Sequence, residues 1–469
     1  MTDEFDVIVI GAGPAGENVA GRATRGGLSA AIVEDRLAGG ECAYWACVPS
    51  KALLRPVGLA GEVQRVPGLS LGPIEVDKVL ARRDEAVSHY DDSGQVQWIE
   101  SANATFVRGR GRLDGPRRVR VTTEGGAERV LTARHAVVLA TGSGAAIPPV
   151  PGLAEAEPWT SHEVTAVTAV PERLVVIGGG VVACEMAQAM HGLGARQTTV
   201  LVRGGTLLGR MEPFVGELVA ESFAESGIDV RFHTDVTAVE RPEPGGKVTV
   251  RLPDGPPLEA DEVLVATGRD LTARGLGLDT VGLGDGPVEV DDSMRATGVA
   301  DGWLYAVGDV NGRALLTHMG KYQARICGDV IVARAKGEPD DLPALRDIAD
   351  GYGAPQVVFT DPQVATVGLT EAAARRAGYR VRAVEYDLAA VTGAYLLGDG
   401  YRGRAKAVVD EDRRVLLGVT FVGPGVGDLL QAATVAVTAE VPLERLWHAV
   451  PSFPTVTEIW LRLLETYGL

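Results

Sequence analysis

Cys42 and Cys47 stand five apart in the stretch GGECAYWACVPSKALL, between a Gly-Gly and a Pro-Ser-Lys. Two cysteines this close allow three chemistries: a zinc site, a structural disulfide or a redox-active disulfide. No second Cys or His pair lies nearby at ligand spacing, which weakens zinc. Five residues of regular helix turn through ~500°, so one helix cannot aim both thiols the same way. The first cysteine is therefore expected in irregular backbone, led in by Gly39-Gly40. Cys47 is expected near a helix start, where N–H dipoles favour a thiolate. The other two cysteines, Cys184 and Cys327, fall in helix-like runs and read as buried and inert.

The elements upstream would carry a nucleotide. The apolar strand DVIVI runs into Gly11-Ala12-Gly13-Pro14-Ala15-Gly16 and a helix-like ENVAGRATRGG. The next strand, SAAIVE, ends at Glu34, which follows Gly11 by 23 residues. Glycines at these spacings bring backbone N–H groups close to a pyrophosphate, and an acid at the second strand's end can bind a ribose hydroxyl.

The pattern recurs. RLVVI leads into Gly178-Gly179-Gly180-Val181-Val182-Ala183 and the helix-like CEMAQAMHGLG. The following strand, TTVLV, ends at Val202 where an acid would be expected; Arg203 follows, with Arg210 nearby. Missing acid and present arginine together favour the 2′-phosphate of NADP over the free ribose of NAD. HAVVLATGS and DEVLVATGRD each repeat a strand followed by Ala-Thr-Gly, one downstream of each turn. LYAVGDV is a strand ending in Gly308-Asp309, where a carboxylate can meet a ribityl hydroxyl.

Composition narrows the partners. The 469 residues suffice for two to four domains. Their 60 glycines, about twice ordinary usage, suit several tight turns. A net charge of -17 argues against nucleic acid or an anionic membrane surface. The basic run RGRGRLDGPRRVR reads as a solvated hairpin. The start, MTDEFDVIVIGAG, is acidic and then immediately strand-like, unlike a signal peptide, and no apolar run approaches ~18 residues. Four cysteines in such a chain point to a reducing cytoplasm, where a close pair is more often catalytic or metal-binding than structural.

In order, GxGxxG, GGxCxxxxCxPSK, ATG, GGGxxxxE, ATGR and GD resemble the pyridine nucleotide-disulfide oxidoreductases, the flavoprotein family of glutathione reductase, lipoamide dehydrogenase and mercuric reductase. The resemblance covers nearly the whole chain. It implies an α/β fold with two Rossmann-like nucleotide-binding domains, for FAD and then for an inserted NADP site, plus a C-terminal α+β dimerisation domain beginning in APQVVFTDPQVATVGLTEAAA. The expected bounds are 1–150 and 286–345 for FAD, 151–285 for the pyridine nucleotide, and 346–469 for dimerisation. It implies FAD and NADPH as cofactors, no metal, and a cytoplasmic homodimer.

By the same resemblance, Cys42 and Cys47 form a redox-active disulfide. Cys42 exchanges with the substrate and Cys47 lies against the flavin. Lys51 matches the family lysine near flavin N5, and Glu185 its salt-bridge partner. Gly11, Gly13, Gly16, Glu34, Gly40, Thr141, Gly142, Gly308, Asp309 and Thr317 are expected at FAD, with His318 at the flavin's pyrimidine end, where it either stabilises the reduced flavin or simply packs. Gly178, Gly180, Ala183, Arg203, Arg210 and Gly268 are expected at NADPH, with Ala183 and Ala187 matching the NADP-type pattern.

Two departures bear on the acceptor. The family's disulfide reductases carry His-Pro-Thr-x-x-Glu near the C-terminus, and the His is the acid–base group for thiol exchange. Here the segment is Phe453-Pro454-Thr455-Val456-Thr457-Glu458. The Glu is kept, but a phenyl ring carries no proton. His448, five residues earlier, reads as a surface histidine or a substitute base. The mercuric reductase branch also lacks this His, but its C-terminal Cys pair and extra metal-binding domain are not visible here. Tyr44 and Trp45, between the cysteines, either narrow access to Cys42 or pack under the flavin. The leading expectation is NADPH oxidation coupled to disulfide reduction. Direct reduction of a quinone, metal ion or oxygen and a redox-sensing flavoprotein are the alternatives.

Overall fold

The computed structural model describes residues 3–271 and 273–469. Contacts group the chain into two compact units: 1–49, 84–144 and 269–350 in the first, and 50–83, 145–268 and 351–469 in the second.

The first unit is built on strand Glu4–Ile10. Its apolar run has no polar face because both faces are covered. Val7 and Val9 enter one core and Ile8 and Ile10 another, as a period of two requires. Strand Ala30–Glu34 pairs parallel on one side and strand Glu128–Leu139 parallel on the other. Strand Ala104–Arg108 extends the first side, and Leu304–Ala306 pairs parallel with the end of Glu128–Leu139. The chain thus reverses direction of addition around its first strand. In open α/β sheets ligands bind at such a switch point, beyond the strands' carboxyl ends. The basic run is a hairpin, Arg110–Leu113 with Arg118–Thr122, continuing antiparallel onto Glu128–Leu139.

The second unit repeats the motif. Arg173–Ile177 pairs parallel with Gln197–Leu201 on one side and Glu262–Val265 on the other. Asp229–Arg231 extends the sheet beyond Gln197–Leu201. A five-stranded antiparallel sheet, in the order Gln356–Val358, Gln363–Gly368, Val415–Gly423, Arg404–Asp410, Val381–Asp387, belongs to the same unit. The α/β class, the two nucleotide folds and the C-terminal α+β part are therefore as expected. Among the described residues, no helix is long and apolar enough to cross a membrane.

Lys406, on the antiparallel sheet, is buried with its ammonium 3.0 Å from Glu212, 2.7 Å from Glu371 and 3.3 Å from Glu385. Glu212 is itself buried, immediately before helix Pro213–Ser226 of the nucleotide-binding part, and accepts from the Glu371 N–H at 2.6 Å. Replacing Lys406 with methionine leaves that carboxylate buried without its cation. The expected cost is about 3 kcal/mol of unfolding free energy, the low end for breaking a buried pair. Denaturant titration of the second unit's transition checks it, and an unchanged midpoint would show the ion cluster to be neutral.

Candidate functional site

A cavity of about 590 Å³ opens at the switch point of the first unit. Gly11 lies at φ +103°, and a Cβ there would come 2.4 Å from the carbonyl oxygen of Ala140. Both the left-handed backbone and the close approach require glycine. A Cβ on Gly13 would meet only the Gly40 Cα, at 3.9 Å, and both glycines line the cavity. A Cβ on Gly16 would sit 1.9 Å from the Gly11 oxygen, so Gly16 lets helix Pro14–Arg25 close onto the strand. Thr141, Gly142, Gly308, Asp309 and Thr317 also line the cavity.

The polar groups there fit a dinucleotide. Glu34 Oε2 accepts from the Ala12 N–H at 2.8 Å and Oε1 from the Arg36 N–H at 2.9 Å. This locks the carboxylate at the strand end, and burial pushes its carboxyl up. Thr141 lines the cavity, and its Oγ1 is buried with no partner, an unmet polar group that a ligand could satisfy. Burial likewise raises the Asp309 carboxyl, which accepts from Ser143 Oγ at 2.5 Å. His318 is exposed on the first turn of helix Thr317–Lys336 and is not among the residues that line the cavity.

Both cysteines line the same cavity. They are thiols in this structure, and hydrogen bonding to Cys47, then burial, pushes the Cys42 thiol up. Thr317 Oγ1 lies 3.4 Å from Cys47 Sγ. Cys47 begins helix Cys47–Gln64, as its surroundings predict. Cys42 corrects the expectation of irregular backbone: it sits in a one-turn helix, Gly40–Tyr44. Gly39 at φ 109° and Gly40 at φ 64° turn the chain into it, and Trp45, at φ −135°, breaks it. A one-turn helix meeting the longer Cys47–Gln64 at a break brings both cysteines to one cavity wall where one continuous helix could not.

Tyr44 and Trp45 fall into different surroundings. Tyr44 is buried; Trp45 lines the cavity between the Arg36 guanidinium, 4.5 Å above its ring, and the stacked Tyr90. Sequence reasoning missed a further bridge. Arg269 Nε donates to Ser143 Oγ at 2.9 Å, and its NH2 group donates to the Ser143 carbonyl and to Glu41, each at 2.5 Å. The signal was present: Ser143 and Arg269 are the residues that follow Ala-Thr-Gly in the two repeats.

The second unit holds the other turn. Gly178 lies at φ +130°, and a Cβ would come 2.3 Å from the Ala266 oxygen, matching Gly11 and Ala140. Gly180 has nothing within 4 Å of a Cβ and starts helix Val181–Gly192. Ala183 is buried and carries a methyl where Gly16 carries none, while Gly268 lies at φ +144° in the second Ala-Thr-Gly. Val202 is buried at the end of the second strand, and Arg203 and Arg210 are exposed in the loop beyond it. The Leu208 N–H bonds the Gly179 carbonyl at 2.8 Å, pinning that loop to the turn. An exposed basic loop with no acid at the strand end fits a phosphorylated ribose.

Lys51 Nζ lies 2.6 Å from Glu185 Oε2, and Glu185 is buried. Glu185 Oε1 accepts from the Phe359 N–H at 2.9 Å, and the Lys51 ammonium sits 5.0 Å over the Phe359 ring. Phe359 gave no signal in the sequence. Cys184 and Cys327 are buried, which pushes the Cys184 thiol up to about 12 and raises that of Cys327. Phe453 is 72% exposed, and His448 is exposed. Glu458 is buried, paired through Oε1 with Arg462, while its Oε2 has no partner.

Comparison with known proteins is consistent with this geometry. Residues 5–335 match the family described as pyridine nucleotide-disulphide oxidoreductase, and 354–463 match that family's dimerisation domain. A dihydrolipoyl dehydrogenase of Chlamydia muridarum is 31% identical over 98% of this chain and 96% of its own. A glutathione reductase of Burkholderia cepacia is 31% identical over 98% of each chain. A mercuric reductase of Shigella flexneri is 34% identical over 97% of this chain and 78% of its own. Among solved structures, LpdA of Mycobacterium tuberculosis superposes with a TM-score of 0.85 at 25% identity, covering 99% of this chain and all of its own. The HOCl-induced flavoprotein disulfide reductase RclA of Escherichia coli, in its Cu(II) complex, superposes at 0.83 and 22% identity over 99% of each chain, a likeness of fold.

Proposed function

Because the chain belongs to the pyridine nucleotide-disulphide oxidoreductase family, FAD-dependent enzymes that use NAD(P)H, we propose that it oxidises NADPH and reduces an acceptor through a Cys42–Cys47 disulfide. The observation that carries this is the placement of both cysteines on the wall of the cavity that fits FAD. When bound, FAD would supply two-electron redox chemistry between the nicotinamide nucleotide and the disulfide.

The chain's own residues do the rest. The N–H groups of Gly13 and Ala15, at the start of helix Pro14–Arg25, would receive the pyrophosphate. Glu34 and Asp309 take the ribose and ribityl hydroxyls. Glu185 holds the Lys51 ammonium in one orientation, and the resemblance gives this lysine its role at flavin N5. Cys47, at its helix start, keeps a thiolate more readily than Cys42, which takes the part of exchanging thiol. The dimerisation-domain match supports a homodimer, and the absence of a membrane-spanning helix among the described residues suits our assignment to the cytoplasm.

A second reading rests on one observation, the exposed Phe453 where the resemblance calls for an acid–base His. It favours acceptors that need no such proton, such as a quinone or a metal ion. Anaerobic titration with NADPH followed by an acceptor screen separates the two. A long-wavelength thiolate–flavin band on reduction is expected, and its absence would remove the disulfide from the pathway.

Cofactor choice is tested at Arg203. Replacing it with glutamate removes a phosphate partner and supplies a ribose acceptor. The KM for NADPH should rise by about tenfold or more, the worth of one charge-assisted contact, while that for NADH changes little. Equal kinetics with both nucleotides in the native protein would overturn the NADP assignment.

A further inference from the structure

Cys42 rides on the one-turn helix Gly40–Tyr44, and five residues are too few to hold a helix without outside anchors. The turn is entered through two left-handed glycines, Gly39 at φ 109° and Gly40 at φ 64°, the residues with the widest backbone freedom. One anchor is the buried Tyr44 ring, which folds back on Gly39; a Cβ there would come 3.0 Å from it. The other is Glu41, whose Oε2 accepts from the Arg269 NH2 group at 2.5 Å, with the two side chains 27% and 25% exposed. Arg269 is fixed in its turn. Its Nε donates to Ser143 Oγ at 2.9 Å, and Ser143 Oγ donates to Asp309 Oδ2 at 2.5 Å. Within the first unit, one hydrogen-bonded chain thus runs from the residue before Cys42 to the carboxylate expected at the ribityl hydroxyls. All four of its members line the cavity. Residues three apart share a helix face, and Cys42 lies ~100° round the axis from Glu41. Pinning both Glu41 and Tyr44 fixes the rotation of the turn, and with it the direction in which Cys42 is aimed.

We propose that the Glu41–Arg269 pair is the clamp of the exchanging cysteine, holding Cys42 where it closes on Cys47 against the freedom of the Gly39–Gly40 hinge. This rests on the redox-disulfide reading above. Glu41 and Arg269 act through the backbone of the turn and are positioning residues. A sulfur held in place has a high effective concentration at its partner, which favours one S–S bond over two thiols. With the clamp broken, the glycine hinge lets Cys42 swing away from that arrangement, and the dithiol gains. The arm through Ser143 to Asp309 ties the clamp to the wall of the cofactor cavity, so the cysteine turn keeps its register with that wall when the disulfide opens and closes.

The test is the thiol–disulfide equilibrium of the FAD-loaded protein in mixtures of reduced and oxidised dithiothreitol, read by acid quench, alkylation and peptide mass. Two electrons and two protons from the dithiol open the Cys42–Cys47 bond, and the reagent closes to its own cyclic disulfide. Arg269→Met should move the equilibrium about tenfold toward the protein dithiol, ~30 mV for a two-electron couple. Glu41→Gln should move it severalfold the same way. The double variant should go no further than Arg269→Met alone, since both changes break one contact. Arg269→Lys keeps the charge opposite Glu41 but has no fork to reach Ser143, and should recover part of the loss. Flavin absorbance reports folding and loading; where Arg269→Met releases FAD, Glu41→Gln and Arg269→Lys carry the comparison. The control is Arg22→Met, which breaks another 2.5 Å ion pair of the same unit, Arg22–Asp329, away from the cavity lining. It should leave the equilibrium unmoved. Values within about twofold of native for the Glu41 and Arg269 variants, or an equal shift in the control, overturn the proposal while the disulfide reading stands. A native protein that forms no Cys42–Cys47 bond at any ratio sinks that reading and the proposal with it.

Discussion

Cys47→Ser is expected to abolish reduction of disulfide acceptors and to remove the long-wavelength band that NADPH produces, while FAD stays bound. The reasoning is local. Cys47 begins helix Cys47–Gln64, is touched by the Thr317 hydroxyl and shares the cavity wall with Cys42. A serine hydroxyl fits the same space and keeps the Thr317 contact, so packing at the cavity changes little. What it cannot do is form an S–S bond or hold a thiolate near neutral pH. With no disulfide to receive electrons, disulfide turnover should fall to background, a loss on the scale of removing an enzyme's nucleophile. Flavin absorbance and rapid-mixing reduction by NADPH check the variant. Reduction of the flavin should persist, since Lys51 and Glu185 are untouched. If instead the variant turns over its natural acceptor at the native rate, the flavin reacts directly and the cysteine pair is bystander chemistry.

Much of this arrangement was legible in the sequence, for reasons that differ by residue. Gly11 and Gly178 were readable because a left-handed φ and a close carbonyl leave only glycine, and each sits between an apolar strand and a helix. The strands themselves were readable because burial on both faces demands unbroken apolar runs. Cys42 was harder. Five-residue spacing excludes one continuous helix but does not distinguish a loop from two helices meeting at a break, and the break depends on Trp45 packing against Tyr90 and Arg36, far along the chain or on another element. The Arg269–Ser143–Glu41 bridge joins residues 126 and 228 apart, so only the parallel between the two Ala-Thr-Gly repeats hinted at it.

Phe453→His is expected to raise turnover of small disulfides such as glutathione disulfide by about 10²–10⁴, the contribution of a positioned acid–base group. Quinone reduction should stay nearly constant, since it needs no proton at a leaving sulfur. Phe453 is 72% exposed, so an imidazole replaces it without opening a core cavity. Glu458, five residues on, keeps a buried carboxylate oxygen without a partner, and the resemblance makes that carboxylate the one that orients the histidine. The leaving half of the acceptor needs a proton donor, and in the native protein a phenyl ring stands where the resemblance puts that donor, so disulfides should be slow substrates. Steady-state kcat/KM for glutathione disulfide, measured for the native protein and Phe453→His, decides it: a gain below about tenfold would show that another group already protonates the leaving sulfur.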